Sequence, residues 1–139
     1  MPKPKQRHNS EAARRDRLER LRRERIAAQP LRRAYPRMAQ LRLELRFNDG
    51  SALPPAAQSH ILHPPAAAFF RFPCPFADCD GLFDLTGLVA ESAGPKTPRE
   101  ISRNLECQGV RARDRLTGHR CGLQLECTIS PNYLQDIAA

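Results

Sequence analysis

The sequence has no run approaching the roughly 18 apolar residues that a membrane-spanning helix requires, and no apolar signal core follows its basic N-terminus. These absences argue against membrane insertion and secretion, so a cytoplasmic, reducing setting is the expectation. A P-loop, a dinucleotide fingerprint and a nucleophile elbow are also missing. No cysteine and histidine stand in a recognisable nucleophile motif, which points to a non-enzymatic chain without a small-molecule substrate. There is no internal repeat with a period of roughly 20 to 50 residues, which sets aside a repeat array. The apolar share is a modest 40%, and Gly and Pro together supply 20 of 139 residues, so part of the chain is expected outside the core.

What is present is unevenly distributed. Residues 1–37 hold 13 Lys/Arg against 4 Asp/Glu, whereas the other 102 residues hold 10 and 11. This divides the chain into a basic arm, 1–37, partly disordered and partly helical, and a near-neutral body, 38–139. Such asymmetry suggests an acidic partner.

Within the arm, "MPKPKQRHN" has no apolar anchor and is expected to be disordered in isolation. "SEAARRDRLERLRRERIAAQP" reads as a helix capped by Asn9 or Ser10, with Glu11 in its first turn and Pro30 as its stop. The acid-first pairs Glu11–Arg15, Asp16–Arg20 and Glu19–Arg23 contribute about 0.3 kcal/mol each. Leu18, Leu21, Ile26 and Ala28 make only a thin apolar stripe, so the helix is expected to project from the body or to lie against a partner. Seven arginines (Arg14, Arg15, Arg17, Arg20, Arg22, Arg23 and Arg25) fall within twelve residues, a density suited to phosphate contacts. A merely solvated charged helix is the alternative.

In the body, "MAQLRLELRF" alternates: Leu41, Leu43, Leu45 and Phe47 face one way, and Arg42, Glu44 and Arg46 the other, as in a strand with one buried face. Residues 50–66, with two Pro-Pro pairs, read as an irregular connection. "AAFFRFPC" and "GLFDL" are strand candidates, the former with Ala68, Phe70 and Phe72 on one face. "TGLVAES" fits a short helix capped by Thr86, and Thr97, Pro98 and Glu100 fit a capping box. "NLECQGV" and "CGLQLECTI" read as an antiparallel hairpin joined by "RARDRLTGHR".

The five cysteines, Cys74, Cys79, Cys107, Cys121 and Cys127, are separated by 4, 27, 13 and 5 residues. A tetrahedral zinc site takes four thiolates or imidazoles, commonly as two local pairs. Glycine stands one or two places after Cys79, Cys107 and Cys121, where a loop folding around an ion needs a positive φ or close backbone approach. Cys127 lacks such a glycine and alternates in step with Leu123, Leu125 and Ile129, as a core cysteine would. The candidate ligands are therefore Cys74, Cys79, Cys107 and Cys121, with His119 and Cys127 as the replacements to test. Five unliganded, mostly buried thiols remain the competing reading, and a catalytic cysteine has the least support. Asp78, Asp80 and Asp84 read as exposed turn residues.

The stretches "CPFADCDG", "CQG" and "CGLQLEC", set between apolar strands, resemble the zinc-ribbon class, in which two cysteine-bearing β-turns pinch one zinc ion. The resemblance covers roughly residues 70–130 and is to an architecture. The first loop is longer than the usual two-residue spacing, and the second pair is widely split. The expected fold is α+β and mainly β: a small antiparallel zinc-ribbon-like sheet with a basic N-terminal helix or arm. The expected function is a zinc-binding module whose arginine-rich arm binds nucleic acid, RNA in preference to DNA, within a larger ribonucleoprotein or polymerase complex. The alternative is a protein-interaction adaptor docking on a transcription or translation complex.

Overall fold

The alternation of Leu41, Leu43, Leu45 and Phe47 becomes strand β1 (Met38–Asn48), whose leucines are fully buried while Arg42, Glu44 and Arg46 face solvent. Burial of each such leucine contributes about 2 kcal/mol. A register shift between Met38 and Gln40 lets buried Met38 join the same face three residues before Leu41. The computed structural model describes residues 2–49, 56–94, 97–114 and 116–134.

Around β1 lies an antiparallel four-stranded sheet in the order β2-β1-β6-β5, where β2 is Ala56–Leu62, β5 Ile101–Glu106 and β6 Gln124–Tyr133. A second, two-stranded sheet pairs β3 (Arg71–Pro73) with β4 (Leu82–Asp84). Helix α1 (Pro2–Ala27) and the single turn α2 (Leu31–Ala34) precede the sheets, and α3 (Thr86–Ala93) links β4 to β5. The fold is thus α+β, mostly antiparallel sheet with an N-terminal helix. The core lies on the inner face of the large sheet, where Leu41, Leu43, Leu45, Leu125, Cys127 and Ile129 meet Phe70, Phe83, Leu85 and Val89.

Several local expectations are corrected. Residues 56–62 form a strand instead of an irregular connection. "AAQSHIL" lacks clean alternation, but it lies at the edge of the sheet and pairs with β1 from Phe47↔Ala56 to Leu41↔Leu62. Residues 50–55 of that expected connection lie outside the described residues. The "AAFFRFPC" strand shrinks to Arg71–Pro73, although Phe70 is buried. At the start of α3 the N-cap position is Leu85, with no side-chain cap, and Thr86 is the first helical residue; the carboxylate of Asp84 just before it accepts from the Thr86 N–H (3.0 Å) and hydroxyl (2.5 Å). No helix follows Thr97, because the chain enters β5 directly and Glu100 accepts a bond from the Ser130 hydroxyl at 2.6 Å.

The arm departs most from expectation. Its helix begins at Pro2, so "PKPKQRHN" is helical, Asn9 and Ser10 lie inside the helix, and Glu11 is beyond its first turn. Pro2 and Pro4 fit there because the first turn's N–H groups have no intrahelical acceptors. Nor does the helix project away. Leu21 is buried, Arg71 bonds Glu24 at 2.6 Å, and the Arg25 guanidinium lies 5.6 Å from the Phe69 ring centroid. Leu31 is fully buried, and its N–H donates to Ala66 O at 2.7 Å. A thin stripe hid this docking, because charged side chains supply much of the contact.

Candidate metal centre and arginine helix

Both candidate cysteine pairs lie where strand pairs end. Cys74 follows β3, and Gly81 precedes β4; the Cys74 N–H donates to Gly81 O at 3.0 Å and closes the loop. Cys107 follows β5, and its backbone continues the pairing beyond the strand. Its N–H donates to Leu123 O (2.8 Å), that of Cys121 to Gly109 O (2.7 Å), and that of Gly122 to Cys107 O (3.2 Å). The 13 intervening residues therefore do not separate this pair: the excess chain loops out through a 3-10 turn, Ala112–Asp114.

The sulfurs of Cys74, Cys79, Cys107 and Cys121 all lie within 4.8 Å of one another. The Cys79–Cys107 separation is 3.6 Å and the Cys74–Cys121 separation 4.0 Å. Four sulfurs around zinc, with bonds of about 2.3 Å, would be about 3.8 Å apart. All four are free thiols, Cys74, Cys79 and Cys107 buried and Cys121 half-buried. This donor set fits a tetrahedral metal ion. Cys127 is fully buried on β6, between Leu45 of β1 and Arg103 of β5, and His119 is exposed; neither belongs to the cluster.

Glycine makes the approach possible. A Cβ on Gly81 would lie 2.2 Å from the Cys107 sulfur, and one on Gly109 would lie 2.3 Å from Gly81 N. These distances are far inside van der Waals contact. The two loops therefore touch backbone to backbone beside the sulfurs.

Other ties join them. Asp78 accepts from Arg111 Nε at 2.9 Å, and Asp80 accepts from the Val110 N–H at 2.7 Å. The Asp78 carbonyl accepts from Ala112 N–H at 2.9 Å, and the Arg111 guanidinium stacks 4.1 Å from the Phe76 centroid. Asp78 and Asp80 are thus inter-loop ties; Asp80 is exposed, as the sequence suggested, while Asp78 is half-buried. Their partners lie about 30 positions away, and local spacing carried no signal for them.

Electrostatics explain what such a cluster lacks without an ion. Burial pushes the Cys74 thiol far up, with the Phe76 N–H pulling the other way and the neighbouring Cys107 and Cys79 adding to the rise. Burial likewise raises Cys107, partly offset by the Gly109 N–H. Desolvation disfavours thiolates until a cation balances them, and the Gly81 N–H, 3.3 Å from the Cys79 sulfur, is placed to donate to one.

The seven arm arginines divide into two groups. Arg14 Nη1 donates to Phe76 O at 3.3 Å, and Arg17 Nη1 donates to Cys79 O at 2.5 Å, so two of them clasp the backbone of the first cysteine loop. Arg15, Arg20, Arg22, Arg23 and Arg25 are exposed. Arg22 and Arg23 lie 3.8 and 3.7 Å from Glu19, the latter as the expected i,i+4 pair.

The chain matches no protein-family model, no curated protein and no solved structure. No helix among the described residues is long and apolar enough to cross a membrane.

Proposed function

We propose that this chain is a non-enzymatic zinc module of zinc-ribbon-like architecture that binds RNA through the exposed arginines of α1. The observation carrying the metal half is the meeting of four thiols at near-tetrahedral spacing, on loops that only glycine allows so close. Soft thiolates in a tetrahedral set favour zinc or an iron–sulfur centre, and zinc needs no further ligand once four sulfurs surround it. Bound there, the ion would supply charge compensation and a cross-link between two loops. A closed four-sulfur shell leaves no position for an activated water, which supports a structural role over hydrolysis.

Elemental analysis of protein purified without chelator tests this half. The expected result is one zinc per chain, lost in Cys74→Ser and kept in Cys127→Ser; no metal, or iron with visible absorption, overturns it.

The RNA half rests on Arg15, Arg20, Arg22, Arg23 and Arg25, which α1 leaves exposed while Arg14 and Arg17 hold it to the body. Phosphate contacts release counterions, so affinity should fall steeply with salt, and Arg22→Ala with Arg23→Ala should lower the slope by about 1 to 2. A salt-insensitive affinity would favour the adaptor reading, which gains support from Leu116 and Ile26, both apolar and strongly exposed.

A further inference from the structure

A second feature adjoins the C-terminal end of α1. A groove of about 390 Å³ is lined by Arg25, Gln58, His60, Leu62, Phe69 and Phe72. Phe69, Phe72 and His60 are each half-buried, so their rings serve as walls and are not sealed into the core. The His60 and Phe72 rings are 4.9 Å apart with planes tilted by 43°, and Arg25 lies over Phe69. His60 Nε2 and Gln58 Oε1, 3.1 Å apart, place hydrogen-bonding groups at the rim.

We propose that this groove receives a nucleobase of single-stranded RNA, stacked against Phe69 and the His60–Phe72 pair, with Arg25 meeting the adjoining phosphate. The proposal rests on the RNA reading above and gives it a site for the base. The combination is what a flat, polar-edged, negatively tethered ligand requires: aromatic faces for its ring, an amide and an imidazole for its edge, and a guanidinium for its charge. Charge favours this occupant over an apolar peptide, because Arg25 lines the groove and α1 also exposes Arg15, Arg20, Arg22 and Arg23. Burial, with Arg25 nearby, lowers the His60 pKa below the ordinary imidazole value, so its ring remains neutral near pH 7 and able to donate and accept.

The test is anisotropy titration of the metal-loaded full chain with single-stranded RNA about ten nucleotides long, alongside inorganic polyphosphate of similar charge. RNA is expected to bind more tightly than polyphosphate, and Phe69→Ala to weaken RNA roughly 5- to 100-fold while leaving polyphosphate unchanged. Phe69→Tyr, which keeps the ring, should restore RNA binding. Should Phe69→Ala fail to fold, wild-type protein still decides: a 2-aminopurine placed in the RNA should change its fluorescence on stacking, and an unchanged signal at saturation overturns the groove. Equal binding of RNA and polyphosphate, or RNA binding indifferent to Phe69→Ala, overturns the groove and leaves the arginine helix as the RNA contact. Displacement of a proline-rich peptide with RNA affinity unaffected reassigns the groove to peptide. Absence of RNA binding by the wild type ends both readings.

Discussion

The loop bearing Cys74 and Cys79 grows from strands of three residues each, whereas the segments bearing Cys107 and Cys121 extend a ladder between strands of six and ten. The second pair inherits its position from the large sheet through the bonds of Cys107 to Leu123 and Cys121 to Gly109. The first has only a short hairpin beneath it, and its added support comes from outside: Arg14 and Arg17 of α1, and Arg111 through Asp78. A metal ion shared by the two would therefore join a well-supported half to one that depends on the arm. Metal occupancy and arm docking should thus be linked.

The largest expected effect comes from removing sulfurs on either side. Cys74→Ser and Cys107→Ser should both abolish metal binding and remove several kcal/mol of stability. Hydrogen exchange should separate the two halves of the site: β3–β4 and α1 lose protection in both variants, while β1 and β6 keep theirs. Equal loss everywhere would break the contrast between the loops.

Next come the glycines. Gly81→Ala forces a methyl into the Cys107 sulfur and should cost about 3 kcal/mol with weaker metal retention, measured by denaturation and chelator challenge. Gly87→Ala on the exposed start of α3 meets no atom within 4 Å and should be neutral or stabilising by up to about 1 kcal/mol.

A smaller effect follows from unclasping the arm. Arg14→Ala with Arg17→Ala should lower stability by about 1 to 3 kcal/mol and speed metal loss to a chelator, since bonds from charged donors to half-buried carbonyls are removed. Arg22→Ala with Arg23→Ala, whose side chains are 70% and 78% exposed, should change stability by no more than about 0.5 kcal/mol. Matching losses would mean that α1 contributes only bulk charge.

The gentlest probe is pH. In metal-free protein, burial raises Cys74, Cys107 and Cys127, so their contribution is complete below the unfolded thiol value of about 8.5 and is lost as pH rises above it. Each thiol contributes a slope of at most about 1.4 kcal/mol per pH unit. Metal-loaded protein should weaken in the opposite direction, on acidification, because protons compete for the thiolates. Denaturation midpoints with and without chelator across alkaline and acidic buffers would reveal the crossing slopes.

The sequence made parts of this arrangement legible for identifiable reasons. Strand β1 was evident because one face is core and the other water, and Cys127 could be set apart because it shares the two-residue rhythm of β6. The four clustered cysteines could be grouped because glycines mark where two backbones touch. Strand β2 escaped notice because "AAQSHIL" is partly small and polar, and its pairing is supplied by β1. The clasp by Arg14 and Arg17 was equally hidden, since each reaches an acceptor 62 residues away, and a helix with little apolar stripe looks undocked when read alone.

Arg14 and Arg17 grip carbonyl oxygens, a chemical group that every amino acid carries. The helix is therefore indifferent to which side chains occupy Pro75 or Ala77, both turned to solvent, and sensitive only to the path of the main chain between Cys74 and Cys79. Those positions are free to change their lettering while the handshake persists. A loop that loses its curvature would be released even with every residue intact.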